Sequence, residues 1–297
     1  MVDVTPILTP PEDGAAARGH GTAGELAQDR RVGGDDLTRW PARFGAGLAA
    51  SARWLAEKLG PYAALLISLA VGLAIAFALS VVAVEVYDAV TDEDGVAGLD
   101  RPLLDLSLQF RNPTTDAVIT AITDIAGTIG MPIIAISAML ILGIRRRSWT
   151  PVILITVAAA GSLLMTVAGK ELIGRERPPL IDAVPPYEYS PSFPSGHTLN
   201  AVVVVGIIVY LILLRQHSRR TRVLTITGGV VFAVVVGLSR VYLGHHWFTD
   251  VLAGWLLGTA WLSLVITAHR IYLTARAHRP ARPAPSDQPS ARGRHPR

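Results

Sequence analysis

Cysteine is absent from the 297-residue sequence, and lysine occurs only at Lys58 and Lys170. The first absence excludes disulfides, thiolate catalysis and Cys-ligated zinc or iron–sulfur centres, and leaves the redox compartment unmarked. The second makes the positive charge almost wholly arginine's and singles out Lys170, which sits in an apolar neighbourhood. Charge of either sign is scarce, at 17% of residues, against about a quarter in an ordinary soluble domain. Hydrophobic residues make up 51% and the mean hydropathy is +0.41. A disordered or collagen-like chain is excluded on those grounds, and the composition is that of a membrane protein. The net charge of +4 is too small to suggest a nucleic-acid partner.

A helix needs about 20 apolar residues to span the hydrocarbon core. Runs of roughly that length, free of charge, cover residues 60–84, 125–144, 151–169, 198–214, 224–239 and 251–268. The segment 117–123 is expected to lengthen the second helix outward. Residues 1–58 read as a disordered, basic cytoplasmic extension without the compact apolar core of a secretory signal. Residues 59–273 read as the membrane domain, and residues 274–297 as a disordered tail rich in Pro and Arg. The expected fold is an all-α, polytopic bundle of six transmembrane helices.

Arginine sets the expected sidedness, because short cytoplasmic loops carry an excess of Lys and Arg. The turn of Arg145, Arg146 and Arg147 is basic, as is the turn holding Arg215, Arg219, Arg220 and Arg222. The stretches flanking the first and last spans are basic too. Six spans put all four on one side, so both termini are expected in the cytoplasm. The first outer loop is acidic, with Asp92, Glu93, Asp94, Asp100 and Asp105. Its segment from Leu103 to Phe110 reads either as an interfacial amphipathic helix or as a connector packed on the bundle.

Lys170, Arg175, Arg177 and Arg240 fall on the outer side, against that gradient. Arg175 reads as an interfacial residue, snorkelling or paired with Glu171, Glu176 or Asp182. The other three belong to ordered stretches at the outer ends of the last four spans. Lys170 is followed seven residues later by Arg177-Pro178. Then come Pro194-Ser195-Gly196-His197, and Ser239-Arg240 with His246 and Asp250. Two guanidiniums and an ammonium suit phosphate oxygens. Ser195 and Gly196 sit at an expected helix start, where free N–H groups favour an anion. His246 and Asp250, four apart, share a face if they are helical, and the carboxylate then fixes the imidazole tautomer. His197 is left as a proton donor. Together these residues provide the equipment of phosphoryl transfer.

Each piece also has a bland explanation: Ser-Gly-His as a helix cap, His246–Asp250 as a local hydrogen bond. Zinc held by His197, His245, His246 and Asp250 is a further option, although no His-Glu-x-x-His spacing occurs. His245 is expected to face away from His246, as adjacent helical residues do. Gly254 and Gly258 read as a close-packing pair, and Trp247 and Trp255 as interface and packing aromatics.

The ordered set of Lys-x6-Arg-Pro, Pro-Ser-Gly-His and Ser-Arg-x5-His-x3-Asp resembles the type 2 phosphatidic acid phosphatase superfamily across roughly residues 100–269. The resemblance implies a six-helix membrane phosphatase working without metal or other cofactor. By position it casts His246 as a nucleophile that becomes phosphohistidine, Asp250 as its partner and His197 as the acid for the leaving group. Lys170, Arg177, Arg240, Ser195 and Gly196 become the phosphate-binding set. The expected substrate is a membrane lipid phosphate: undecaprenyl diphosphate, phosphatidylglycerophosphate or phosphatidic acid. A phosphotransferase and a non-catalytic carrier of anionic lipids are the alternatives.

Overall fold

The computed structural model describes residues 95–277, with side chains to residue 274, together with residues 31–32, 35–36, 77 and 81. The expected first span, both tails and the orientation of the termini fall outside the described residues, except that Phe77 and Val81 are helical. One pairing departs from an all-helical chain. Strands β1 (Arg31–Val32) and β2 (Asp35–Asp36) form an antiparallel two-residue ladder, joined across Gly33-Gly34 in the sequence.

From residue 95 onward the regular structure is helical. A short 3-10 turn, Gly95–Leu99, feeds α1 (Asp100–Gln109), and a sharp corner leads to α2 (Pro113–Asp124). The corner follows from local chemistry. Asn112 Oδ1 accepts from the amides of Thr114 and Thr115, and Thr115 Oγ1 accepts from the Asn112 amide. That is a reciprocal cap, with Pro113 in the first turn where its missing N–H costs nothing. Helix α1 packs on the bundle, with Leu104 buried while Leu106 and Phe110 stay exposed.

The expected outward extension of the second span is not made. The chain turns at residues 125–129 and restarts as α3 (Gly130–Arg146). The turn is tight enough that a Cβ at Gly130 would lie 2.5 Å from the carbonyl oxygens of Asp124 and Ile125. Helix α3 has 17 residues, about 25 Å at 1.5 Å per residue, and so is shorter than a usual span.

Among the described residues, four helices are long and apolar enough to cross a membrane: α4 (Thr150–Ile173), α5 (Gly196–Leu213), α6 (Arg219–Tyr242) and α7 (Phe248–Ala277). Helix α4 opens with Pro151 in its first turn and stops at Gly174, φ +63°, whose amide bonds the Lys170 carbonyl. Helix α5 is central, touching α4, α6 and α7, and loosens into a π turn at Ala201–Val205. Its Leu199, Val203, Ile207 and Leu211 are fully buried.

Small residues set the spacing between helices, as expected where lipid supplies no hydrophobic drive. A Cβ at Gly258 would lie 2.9 Å from Val202, and one at Gly161 only 2.1 Å from the Trp261 ring. Ser162 Oγ donates to Asn200 Oδ1 at 2.6 Å, a polar link between α4 and α5. In this arrangement α4 and α6 end where α5 and α7 begin. The basic turns gather at the opposite end, where the Arg146 guanidinium donates to the Leu211 carbonyl.

Candidate active site

Three connections meet at the first of these ends: the α2–α3 turn, the loop of residues 174–195, and the α6–α7 turn. They enclose a cavity of about 990 Å³. Lys170, Gly196, His197, Arg240, His245 and His246 line one side of it. The α2–α3 turn forms the other wall, where a Cβ on Gly127 would stand 3.4 Å from His197 Nε2.

His246 is 1% exposed and does not lie on a helix. It occupies a turn after Gly244, whose φ is +69° and where a Cβ would stand 2.1 Å from the Asp182 carbonyl oxygen, leaving no room for a side chain. Asp250 sits in the first turn of α7 and accepts from the Trp247 amide at 2.9 Å, a side-chain cap on that helix. The expected helical i,i+4 pair is therefore made by a turn and a cap instead. His246 Nδ1 lies 3.5 Å from Asp250 Oδ2 and 3.4 Å from Ser192 Oγ. Its Nε2 faces Arg177 Nη1 at 3.3 Å. A guanidinium only donates, so Nε2 carries the lone pair and Nδ1 the proton. Burial, and then the Arg177 and Arg240 charges, hold the imidazole pKa well below its ordinary value. It is thus neutral at pH 7, with its basic nitrogen directed at the cations.

Those cations are held in place. Lys170 Nζ donates to Ser190 Oγ at 3.0 Å and to the Pro191 carbonyl. Arg177 donates to the Ser190 carbonyl at 2.6 Å and to the His245 carbonyl. Arg240 is 2% exposed; its Nε has no hydrogen-bond partner among the described residues. Across the two guanidiniums lies Glu188, with one oxygen 2.8 Å from Arg177 Nη2 and the other on Arg240 Nη2. Burial alone would raise the Glu188 carboxyl, but Arg240 and Arg177 outweigh it and hold it down to about 2. Its contribution to stability, present above the ordinary carboxylate value, is therefore lost only as pH falls towards about 2.

Two sequence expectations change. Ser195 does not offer a free amide. Its N–H donates to the Asp250 carbonyl at 3.1 Å, and its buried hydroxyl accepts from Thr198 at 2.9 Å. His245 does not turn away from the site, because it shares the non-helical turn with His246. It lines the cavity and its Nε2 bonds the Val184 carbonyl at 2.7 Å. Burial, and then Arg240, lower its pKa to about 4. Among the described residues, no group of three or more His, Asp or Glu side chains is placed to hold a metal ion.

Arg175 is also unlike its expectation. Its side chain is only 12% exposed and is paired with Asp250 at 2.6 Å and Asp100 at 2.7 Å rather than with Glu171, Glu176 or Asp182. Its guanidinium lies 5.8 Å from the centre of the Trp247 ring. Glu188, Ser192, Asp100 and Arg175 are the site's unforeseen members. The only sequence signal for Arg175 and Asp100 was that both are charged next to apolar stretches.

Comparisons with known proteins agree with the motif pattern. Residues 150–272 match the PAP2 superfamily. A phosphatidylglycerophosphatase B from Bacillus subtilis (strain 168) is 36% identical over 175 residues, 58% of this chain and 84% of that protein. An undecaprenyl-diphosphatase from Sulfolobus acidocaldarius is 41% identical over 80 residues, 27% of this chain and 33% of that protein. The crystal structure of a transmembrane PAP2-type phosphatidylglycerolphosphate phosphatase from Bacillus subtilis superposes with a TM-score of 0.57 at 28% identity. It covers 65% of this chain and 94% of that one.

Proposed function

The chain belongs to the PAP2 superfamily, and from that premise we propose that it is a membrane phosphatase hydrolysing a lipid phosphate or diphosphate through a phosphohistidine on His246. The observation that carries the reading is the Arg177–His246 contact, which leaves the Nε2 lone pair facing a cluster of three cations. In the proposed cycle Lys170, Arg177 and Arg240 take the phosphate oxygens, with the Gly196 backbone alongside. His246 Nε2 attacks phosphorus while Asp250 steadies the Nδ1 proton. His197 gives its proton to the departing oxygen. Water then attacks the phosphohistidine, His197 recovers a proton from it, and inorganic phosphate leaves. No metal or other cofactor enters these steps.

The placement we propose is six spans within residues 59–273, both termini in the cytoplasm, and the site at the outer face of the cell membrane. The basic turns at the far end of the bundle support it. Phosphatidylglycerophosphate is the first candidate, given the name of the relative that is 36% identical; undecaprenyl diphosphate and phosphatidic acid follow. Purified protein is tested against all three in lipid–detergent micelles with a chelator present. Release of phosphate from at least one, with acid-labile label trapped on the protein, is the expected result. Release from none, or release lost entirely on chelation, overturns the reading.

Glu188 occupies the ground between Arg177 and Arg240 that a phosphate would need. Glu188→Gln, which removes the competing charge, is expected to strengthen inhibition by orthovanadate several-fold. Weaker inhibition would mean that Glu188 organises the cradle and does not compete for it.

A further inference from the structure

We propose that Arg175 and Asp100 are positioning residues for this reaction, anchoring one oxygen of Asp250 so that the other is aimed at His246. The inference rests on the phosphohistidine reading and extends it to two residues that touch no substrate.

The argument starts from the two oxygens of Asp250. Oδ1 accepts from Arg175 Nη1 at 2.6 Å. Oδ2 accepts from Ser192 Oγ at 2.5 Å and the Trp247 amide at 2.9 Å, and is the oxygen nearest His246 Nδ1. Asp250 is wholly buried. A buried carboxylate that loses its counter-cation takes up a proton or rearranges, and a protonated one holds an imidazolium poorly. Arg175 is that counter-cation, and its own placement is over-determined. Nη2 donates to Asp100 Oδ2 at 2.7 Å and Nη1 to Thr249 Oγ1 at 2.7 Å. Asp100 then takes the Thr249 amide at 2.8 Å and its hydroxyl at 2.7 Å. The start of α1, the loop after α4 and the start of α7 are thereby tied together beneath the nucleophile.

Charge explains why there are two carboxylates. Asp100, Arg175 and Asp250 carry one net negative charge between them. That excess is available to His246 at the moment its ring becomes cationic by accepting the phosphoryl group. With Asp100 neutral, Arg175 would draw more fully on Asp250, and less charge would remain for His246.

The expected signature is a loss in kcat at unchanged KM, since the cations that hold the phosphate are untouched. Arg175→Met is expected to lower kcat on the order of 10²-fold, by analogy with residues that orient metal ligands, and Asp100→Asn less, since it leaves the Arg175–Asp250 pair in place. Competitive inhibition by inorganic phosphate, which the cations hold without a bond to His246, stays at the wild-type level in both. The decisive measurement is a double-mutant cycle. In an Asp250→Asn background, Arg175→Met should change kcat less than threefold, because the carboxylate through which it acts is gone. A full multiplicative loss in the double variant, or a KM rise in Asp100→Asn, overturns the proposal. Asp100→Asn is nearly isosteric and keeps the cycle usable if Arg175→Met fails to insert. Failure of the wild-type protein to release phosphate would refute the function, not this assignment of roles.

Discussion

His246→Ala is expected to lower phosphate release by about 10⁴-fold or more, about 5 kcal/mol of transition-state stabilisation. The size follows from what the side chain supplies. In the proposed cycle it supplies the attacking atom, and Arg177, Asp250 and His245 cannot replace it. Arg177 only donates, Asp250 is held behind the ring by Arg175, and His245 is committed to the Val184 carbonyl. His246→Asn should be as inactive as alanine, since an amide has no basic nitrogen. Folding should survive, because the backbone of the turn is fixed elsewhere: the His245 and His246 amides both bond the Arg240 carbonyl. Phosphate release by the purified variants, with far-UV circular dichroism melts in detergent as the folding control, checks this. Activity of the alanine variant within tenfold of wild type would remove His246 as nucleophile.

Arg240→Lys is the second large effect, despite conserving charge. We expect kcat/KM to fall about 10²- to 10³-fold, the size seen when one donor to a developing oxyanion is removed. Arg240 is almost fully buried at the end of α6, and its Nη2 holds one oxygen of Glu188 while, among the described residues, Nε has no hydrogen-bond partner. A fork with one tooth engaged and another unengaged fits an oxygen-rich ligand larger than a single carboxylate oxygen. Lysine offers a compact charge without that fork, and its ammonium would also be costly to bury. Steady-state kinetics on the preferred lipid phosphate decide the matter; retention of more than a third of wild-type kcat/KM would show that charge alone suffices at this position.

Much of the scaffold was legible because hydrophobic length is a strong signal. The runs at 151–169, 198–214, 224–239 and 251–268 lie within or almost within α4, α5, α6 and α7. The α2–α3 break was not, since an apolar run reports burial in lipid and says little about a turn set by two glycines. At the site, the motifs named Lys170, Arg177, His197, Arg240, His246 and Asp250; Lys170, His197, Arg240 and His246 line one cavity, and Arg177 and Asp250 touch His246. Spacing misled in two places. A separation of four suggested a helical face for His246 and Asp250, whereas a positive-φ glycine and a helix cap bring them together. A helix start suggested a free Ser195 amide, which the Asp250 carbonyl takes. Arg175 escaped because its partners lie 75 residues away on either side, while acids nearby in sequence offered a simpler pairing. Glu188 has no motif of its own and is recognisable only once Arg177 and Arg240 are seen to face each other.

The position of Glu188 bears on turnover. A site that keeps its own counter-ion binds substrate by exchange: on the proposed function, the two arginines give up the Glu188 carboxylate as they accept a phosphate. The attraction felt by an arriving anion is therefore a difference between two pairings. In the proposed cycle the same carboxylate is at hand when a phosphohistidine is hydrolysed, ready to reclaim the arginines as inorganic phosphate departs. Three clustered cations thus need not become a trap for the product they help to form.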